Sequence, residues 1–100
     1  MAAQIDVDKE KIAAFCEKHG IRRLALFGSV LTGDFKPDSD VDVLVEFKPG
    51  VSVGFKIFAI EEELSQMLGG RKIDLIYEKY LDPRLKDSVL KSMEIQYAQR

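Results

Sequence analysis

Asp40 and Asp42 flank a single valine in the run Asp40-Val41-Asp42-Val43-Leu44-Val45-Glu46, and a third aspartate, Asp74, interrupts the apolar run Ile73-Asp74-Leu75-Ile76. In an extended strand alternate side chains share a face, so Asp40 and Asp42 point the same way, about 6 to 7 Å apart along the chain. Two carboxylates held this close and partly desolvated repel each other and resist ionisation unless a positive charge joins them. A divalent cation such as Mg²⁺ supplies that charge, and hard carboxylate oxygens suit it. The plainer alternative is the wet face of an amphipathic edge strand, with Val41, Val43 and Val45 turned to the core. Asp74 has its own alternative, a surface residue paired with Arg71 or Lys72. Its place inside a second apolar strand favours the site, because neighbouring strands bring its carboxylate toward the Asp40 and Asp42 face.

Gly28 and Ser29 follow directly on the apolar run Leu24-Ala25-Leu26-Phe27. At the end of a buried strand, a glycine-serine turn presents backbone N–H groups, a hydroxyl and a helix-start dipole to one point, which is where an anion binds. Alone the dipeptide is also an ordinary turn with an N-cap serine. Ahead of a carboxylate strand it offers the complementary half of a site: one half grips phosphate oxygens, the other holds the metal that neutralises them.

The elements that must position these residues follow from periodicity. Ile12, Phe15, Cys16 and His19 recur at helical spacing from about Val7 to His19, with Gly20 as a stop. Ile21 to Phe27 reads as a buried strand, residues 34–39 with Pro37 as a loop, and Asp40 to Glu46 as a strand. After a turn at Phe47 to Gly50, Ile57, Ile60, Leu64, Met67 and Leu68 mark one helix face that Gly69 and Gly70 end. Lys72 to Tyr77 reads as a short strand. A last helix is expected from about Pro83, carrying Leu85, Val89, Leu90, Met93 and Tyr97 on its apolar side. The predicted class is α+β, a small mixed sheet covered by helices, with residues 1–100 forming one domain.

Composition narrows the classes. The single cysteine, Cys16, allows no internal disulfide or multi-cysteine zinc site, and its default role is a small core side chain. The Met1 to Glu10 stretch has no secretion-signal core and no apolar run approaches a membrane span, so a cytoplasmic location is expected. A formal charge of -2, from 15 basic and 17 acidic side chains, gives no broad reason to expect direct nucleic-acid binding. His19 is expected to cap or pack, and Lys36 and Lys48 read as solvated loop lysines or phosphate-side charges. Helix packing or a partner surface explains Phe55 and Phe58, and Tyr77 and Tyr80 flank a cleft or seal a core edge.

The run Leu26-Phe27-Gly28-Ser29-Val30-Leu31-Thr32-Gly33, ten residues between Ser29 and Asp40, and then Asp40-Val41-Asp42 resembles the minimal nucleotidyltransferases of the DNA polymerase beta-like superfamily. Lys72-Ile73-Asp74-Leu75-Ile76 is similar to the strand that bears their third carboxylate. The resemblance implies that Gly28 and Ser29 hold a nucleoside triphosphate, that Asp40 and Asp42 bind Mg²⁺, and that Asp74 completes the metal site or helps activate an acceptor hydroxyl. Thr32 departs from the arginine many relatives carry, which implies one charge fewer at the nucleotide.

Small free-standing members of this superfamily pair with all-helical HEPN toxins. The resemblance therefore implies an antitoxin that transfers AMP from ATP to a tyrosine hydroxyl of its HEPN partner. Two further readings stay open: an inactive antitoxin that only covers its partner, and transfer to an antibiotic or other small alcohol. Homo- or hetero-oligomer formation stays open with them.

Overall fold

The computed structural model of this chain describes residues 7–28 and 40–99. Its elements are α1 (Lys9–His19), β1 (Ile21–Phe27), β2 (Val41–Phe47), α2 (Lys56–Met67), β3 (Ile73–Tyr77), a 3-10 turn (Glu78–Tyr80), α3 (Pro83–Ser92) and β4 (Glu94–Ala98). The strands form one mixed sheet in the order β3-β2-β1-β4. β1 pairs antiparallel with β2 and β4, whereas β2 and β3 run parallel. Parallel neighbours need a long crossover, and α2 supplies it. The expected α+β arrangement is the one observed.

α1 begins because Asp8 accepts hydrogen bonds from the N–H groups of Glu10 and Lys11 at 3.0 and 3.2 Å. It ends where Gly20 turns left-handed at φ 69° and donates its N–H to the carbonyls of Cys16 and Glu17. Ile12, Phe15 and Cys16 of α1 and Ile60 and Leu64 of α2 pack over Leu24, Leu26, Val41, Val43, Val45 and Ile73 of the sheet. The valines of β2 thus face the core, as their alternation requires. Cys16 is fully buried, and burial pushes its thiol up to about 12, so it is an inert core side chain. His19 packs edge-on to Phe15 and meets Glu63 of α2 at 3.1 Å, beside Lys18 at 3.0 Å. Although burial raises the Glu63 carboxyl, these hydrogen bonds hold it below the ordinary range.

The C-terminal region corrects one expectation. The last helix stops at Ser92, Met93 is extended (φ -65°, ψ 151°), and Glu94–Ala98 is a strand. Met93 and Tyr97 stand four apart, which imitates a helix face, but β1 has an open edge whose backbone groups need partners. β4 fills it, pairing Leu26 with Glu94 and Leu24 with Tyr97 across a register shift. Lys9 donates to Gln96 at 2.7 Å and Gln96 to Glu94 at 3.0 Å, which ties β4 to the start of α1. α3 carries no fully buried residue, and Leu85 is 56% exposed.

Leu64 is fully enclosed between α2 and the sheet. Leu64→Ala removes its buried methyl groups and leaves a cavity, and urea unfolding should register a loss of about 2 to 5 kcal/mol.

Candidate active site

The parallel pairing of β2 and β3 sets the position of the carboxylates. Val41 stands opposite Ile73, Asp42 opposite Asp74 and Val43 opposite Leu75. In-register neighbours share a sheet face about 4.8 Å apart, so Asp42 and Asp74 lie side by side at the starts of their strands. On the other flank Asp42 pairs with Phe27, the last residue of β1. Gly28 therefore leaves β1 directly against the Asp42 carboxylate. A Cβ added to Gly28 would collide with Asp42 Oδ2 and come within 3.2 Å of its Cγ, and the residue's φ of 77° also disfavours an L side chain. Glycine here is a steric requirement of the aspartate beside it.

The electrostatics follow from this crowding. Burial raises the Asp42 carboxyl above its ordinary value, and the negative charges of Asp74 and Asp40 push it the same way. The structure thus brings Asp40, Asp42 and Asp74 into one electrostatic group. Lys72 stands 4.0 Å from Asp40 in an exposed pair, so the lysine considered as a partner for Asp74 meets a different carboxylate. Asp40 and Asp74 are exposed, whereas Asp42 is half-buried. Among the described residues no three His, Cys, Asp or Glu side chains stand in closed metal-holding geometry. The three aspartates form an open acidic shelf and not a finished cage.

Of the other site residues predicted from sequence, Gly28 stands against the Asp42 carboxylate, while Ser29 and Thr32 lie outside the described residues, as does Lys36. The expected loop at 34–39 lies outside them as well. Tyr77 and Tyr80 do flank a cleft. It is a groove of about 600 Å³ at the opposite ends of β2 and β3, which Lys48 also lines. Phe55 and Phe58 are 90% and 67% exposed, so helix packing does not account for them. Sequence reasoning missed Arg23, which hydrogen-bonds Glu78 and lies 3.9 Å from Glu46 on the Asp42 face of the sheet. The charge inside the β1 run was its only local signal.

Residues 9–95 match the nucleotidyltransferase domain family. The chain belongs to that family. The nucleotidyltransferase is 38% identical over 77 residues to the protein adenylyltransferase MntA of Thermococcus cleftensis, covering 77% of this chain and 76% of that one. A solved structure of a candidate minimal nucleotidyltransferase superposes with a TM-score of 0.71 at 34% identity over 85% of both chains. The same fold occurs, at 15% identity and a TM-score of 0.63, in a structure of the tri-AMPylated Shewanella oneidensis HEPN toxin in complex with MNT antitoxin, covering 91% of this chain and 70% of that one. The resemblance read from the glycine-serine and aspartate motifs is thus borne out for family, fold and enzyme class. No described helix is long and apolar enough to cross a membrane.

Two outcomes follow for the nucleotidyltransferase. Gly28→Ala should lower unfolding stability by at least about 1 kcal/mol through left-handed strain alone. Adding Asp42→Ala removes the colliding carboxylate, so the double variant should recover part of the loss in a double-mutant cycle. The Asp42 carboxyl titrates higher in the folded state than in the unfolded chain. Between the two values the folded protein keeps a proton that the unfolded chain has released, so stability falls as pH rises through that window. Asp42→Asn should therefore raise the melting temperature at neutral pH in EDTA by a few degrees, measured by circular dichroism.

Proposed function

We propose that this nucleotidyltransferase transfers AMP from ATP to a tyrosine hydroxyl of a HEPN-family toxin and thereby acts as its antitoxin. The observation that carries the reading is the in-register pair Asp42 and Asp74, with Gly28 forced to remain glycine beside Asp42. The similarity to MntA and the fold shared with a structure of an AMPylated HEPN toxin bound to MNT antitoxin support the choice of nucleotide and partner.

The site residues suit Mg²⁺. Their donors are carboxylate oxygens, their mutual repulsion raises Asp42, and an added cation relieves it. The open shelf also suits this ion, which is ordinarily held by one or two carboxylates together with substrate phosphates. Asp40 and Asp42 would hold it, with Asp74 as the further ligand. When bound, Mg²⁺ would polarise the α-phosphoryl group and offset charge on the pyrophosphate leaving group.

The chain's own residues position the reactants. Gly28 lets the Asp42 carboxylate close up against the strand end that the triphosphate would approach, and Ser29 follows it in the sequence as a hydroxyl and N–H donor. Asp74, exposed beside Asp42, would be open to an incoming acceptor oxygen. The tyrosine oxygen forms a bond to the α-phosphorus as the bond from that phosphorus to the bridging oxygen of pyrophosphate breaks. The tyrosine proton passes to solvent or to the carboxylate cluster.

Incubation with ATP labelled at the α-phosphate, Mg²⁺ and a HEPN partner should place label on the partner and add the mass of AMP to it. Asp40→Ala combined with Asp42→Ala should reduce labelling at least about a hundredfold, the scale on which lost transition-state electrostatics are felt. A stable complex with no label, whose inhibition survives the double substitution, would show an antitoxin that works by covering its partner alone.

A further inference from the structure

The groove at the far ends of β2 and β3 lies at the opposite end of these strands from Asp42 and Asp74, and its charges are unequally matched. Glu46 and Glu78, the carboxylates that line it, are both engaged by Arg23. The hydrogen bond to Glu78 holds the Arg23 guanidinium above its ordinary value, which keeps this neutralisation in place. Lys48, Lys79 and Lys86 also line the groove, and none has an ion-pair partner among the described residues. Lys79 instead lies over the Tyr80 ring, 5.0 Å from its centroid. The groove therefore presents a surplus of positive charge beside an aromatic wall, in which Tyr77 packs against Phe47 and Tyr80 at 5.5 and 5.7 Å between centroids.

We infer that this groove is a docking site for an acidic peptide segment of a partner protein, one carrying apolar or aromatic side chains between its carboxylates. Charge complementarity selects the acidic partner: three lysines with no ion-pair partner among the described residues come from three separate places, just past β2, the turn after β3, and α3. A segment with carboxylates spaced along it meets such an arrangement better than a single phosphate does. The apolar half of the match is the wall of Phe47, Tyr77 and Tyr80. Aromatic side chains are enriched in protein interfaces, and the lysines beside them steer a partner of opposite charge. A nucleoside phosphate is disfavoured because among the described residues no Asn, Gln, Ser or Thr lines the groove to read a base edge.

This inference does not rest on the AMP-transfer reading, and its test separates the two. The probe is a fluorescein-labelled peptide alternating Glu with Leu and Tyr, and the control has Lys in place of every Glu. The acidic peptide should bind by fluorescence anisotropy, weaken as salt rises, and lose at least about tenfold in affinity on Lys79→Glu combined with Lys86→Glu. Amide shifts in the unsubstituted protein should cluster at Phe47, Lys48, Tyr77, Tyr80 and Lys86, a readout that needs no variant. Asp40→Ala with Asp42→Ala should leave this binding unchanged, whatever it does to transfer. Absence of binding, equal binding of the lysine peptide, AMP or a short oligonucleotide shifting the same amides in place of the peptide, or shifts confined to the Asp42 end would each overturn the proposal.

Discussion

The repulsion between Asp42 and Asp74 is the constraint around which the fold is arranged. Two carboxylates stand in register on adjacent parallel strands, and burial of Asp42 sharpens their mutual cost. Parallel pairing makes the juxtaposition possible, because both strands start at the same end of the sheet. The crossover helix α2 enforces it by packing Ile60 and Leu64 onto Val41, Val43 and Val45. A slip of β2 by one residue would drive Asp42 into that core and expose the valines, so hydrophobic burial holds the like charges together. Gly28 completes the arrangement by yielding its side-chain space to the Asp42 carboxylate.

The parts of this structure that were legible in the sequence are those whose signal is local. Alternation around Asp40 to Glu46 marked β2, and the aspartates within it exposed the acidic face; helical spacing of Ile12, Phe15 and Cys16 marked α1. β4 was hidden because its reason for being a strand lies in the unpaired edge of β1, about seventy residues earlier in the chain. Met93 and Tyr97 kept a helical spacing that the tertiary pairing overrode. The pairing of Asp42 with Asp74 belongs to the same class of fact, since register between distant strands leaves no mark on either one alone. The family resemblance supplied it in advance. The Arg23, Glu46 and Glu78 cluster had no such aid and came to light only from the fold.

One face of the sheet carries two charge centres. Asp42 and Asp74 occupy one end, Leu44 is buried between, and Glu46 meets Arg23 toward the other. Four residue steps of strand separate Asp42 from Glu46, roughly 13 Å at the usual rise. That exceeds the screening length of about 8 Å at physiological salt, so the groove lysines do little to neutralise the acidic shelf. Each centre keeps its own polarity. A cation recruited at one end and an acidic segment held at the other need not compete.

The exposure of the shelf bears on what accepts the nucleotide. The Asp40 side chain is 48% exposed and Asp74 is exposed as well, and the groove beside Tyr77 and Tyr80 lies away from both. Small alcohols are ordinarily selected by concave pockets that bury most of their surface. A tyrosine on a folded partner brings its own walls: docking orients the hydroxyl, and the partner's surface excludes water from the carboxylates once it is seated. An exposed carboxylate shelf is therefore suited to a macromolecular acceptor, and on the docking proposal the positively charged, aromatic groove at the opposite end would give such a macromolecule a second point of purchase. Two separated contacts fix orientation where one would leave it free to pivot. A minimal fold can then be selective without a deep acceptor pocket of its own.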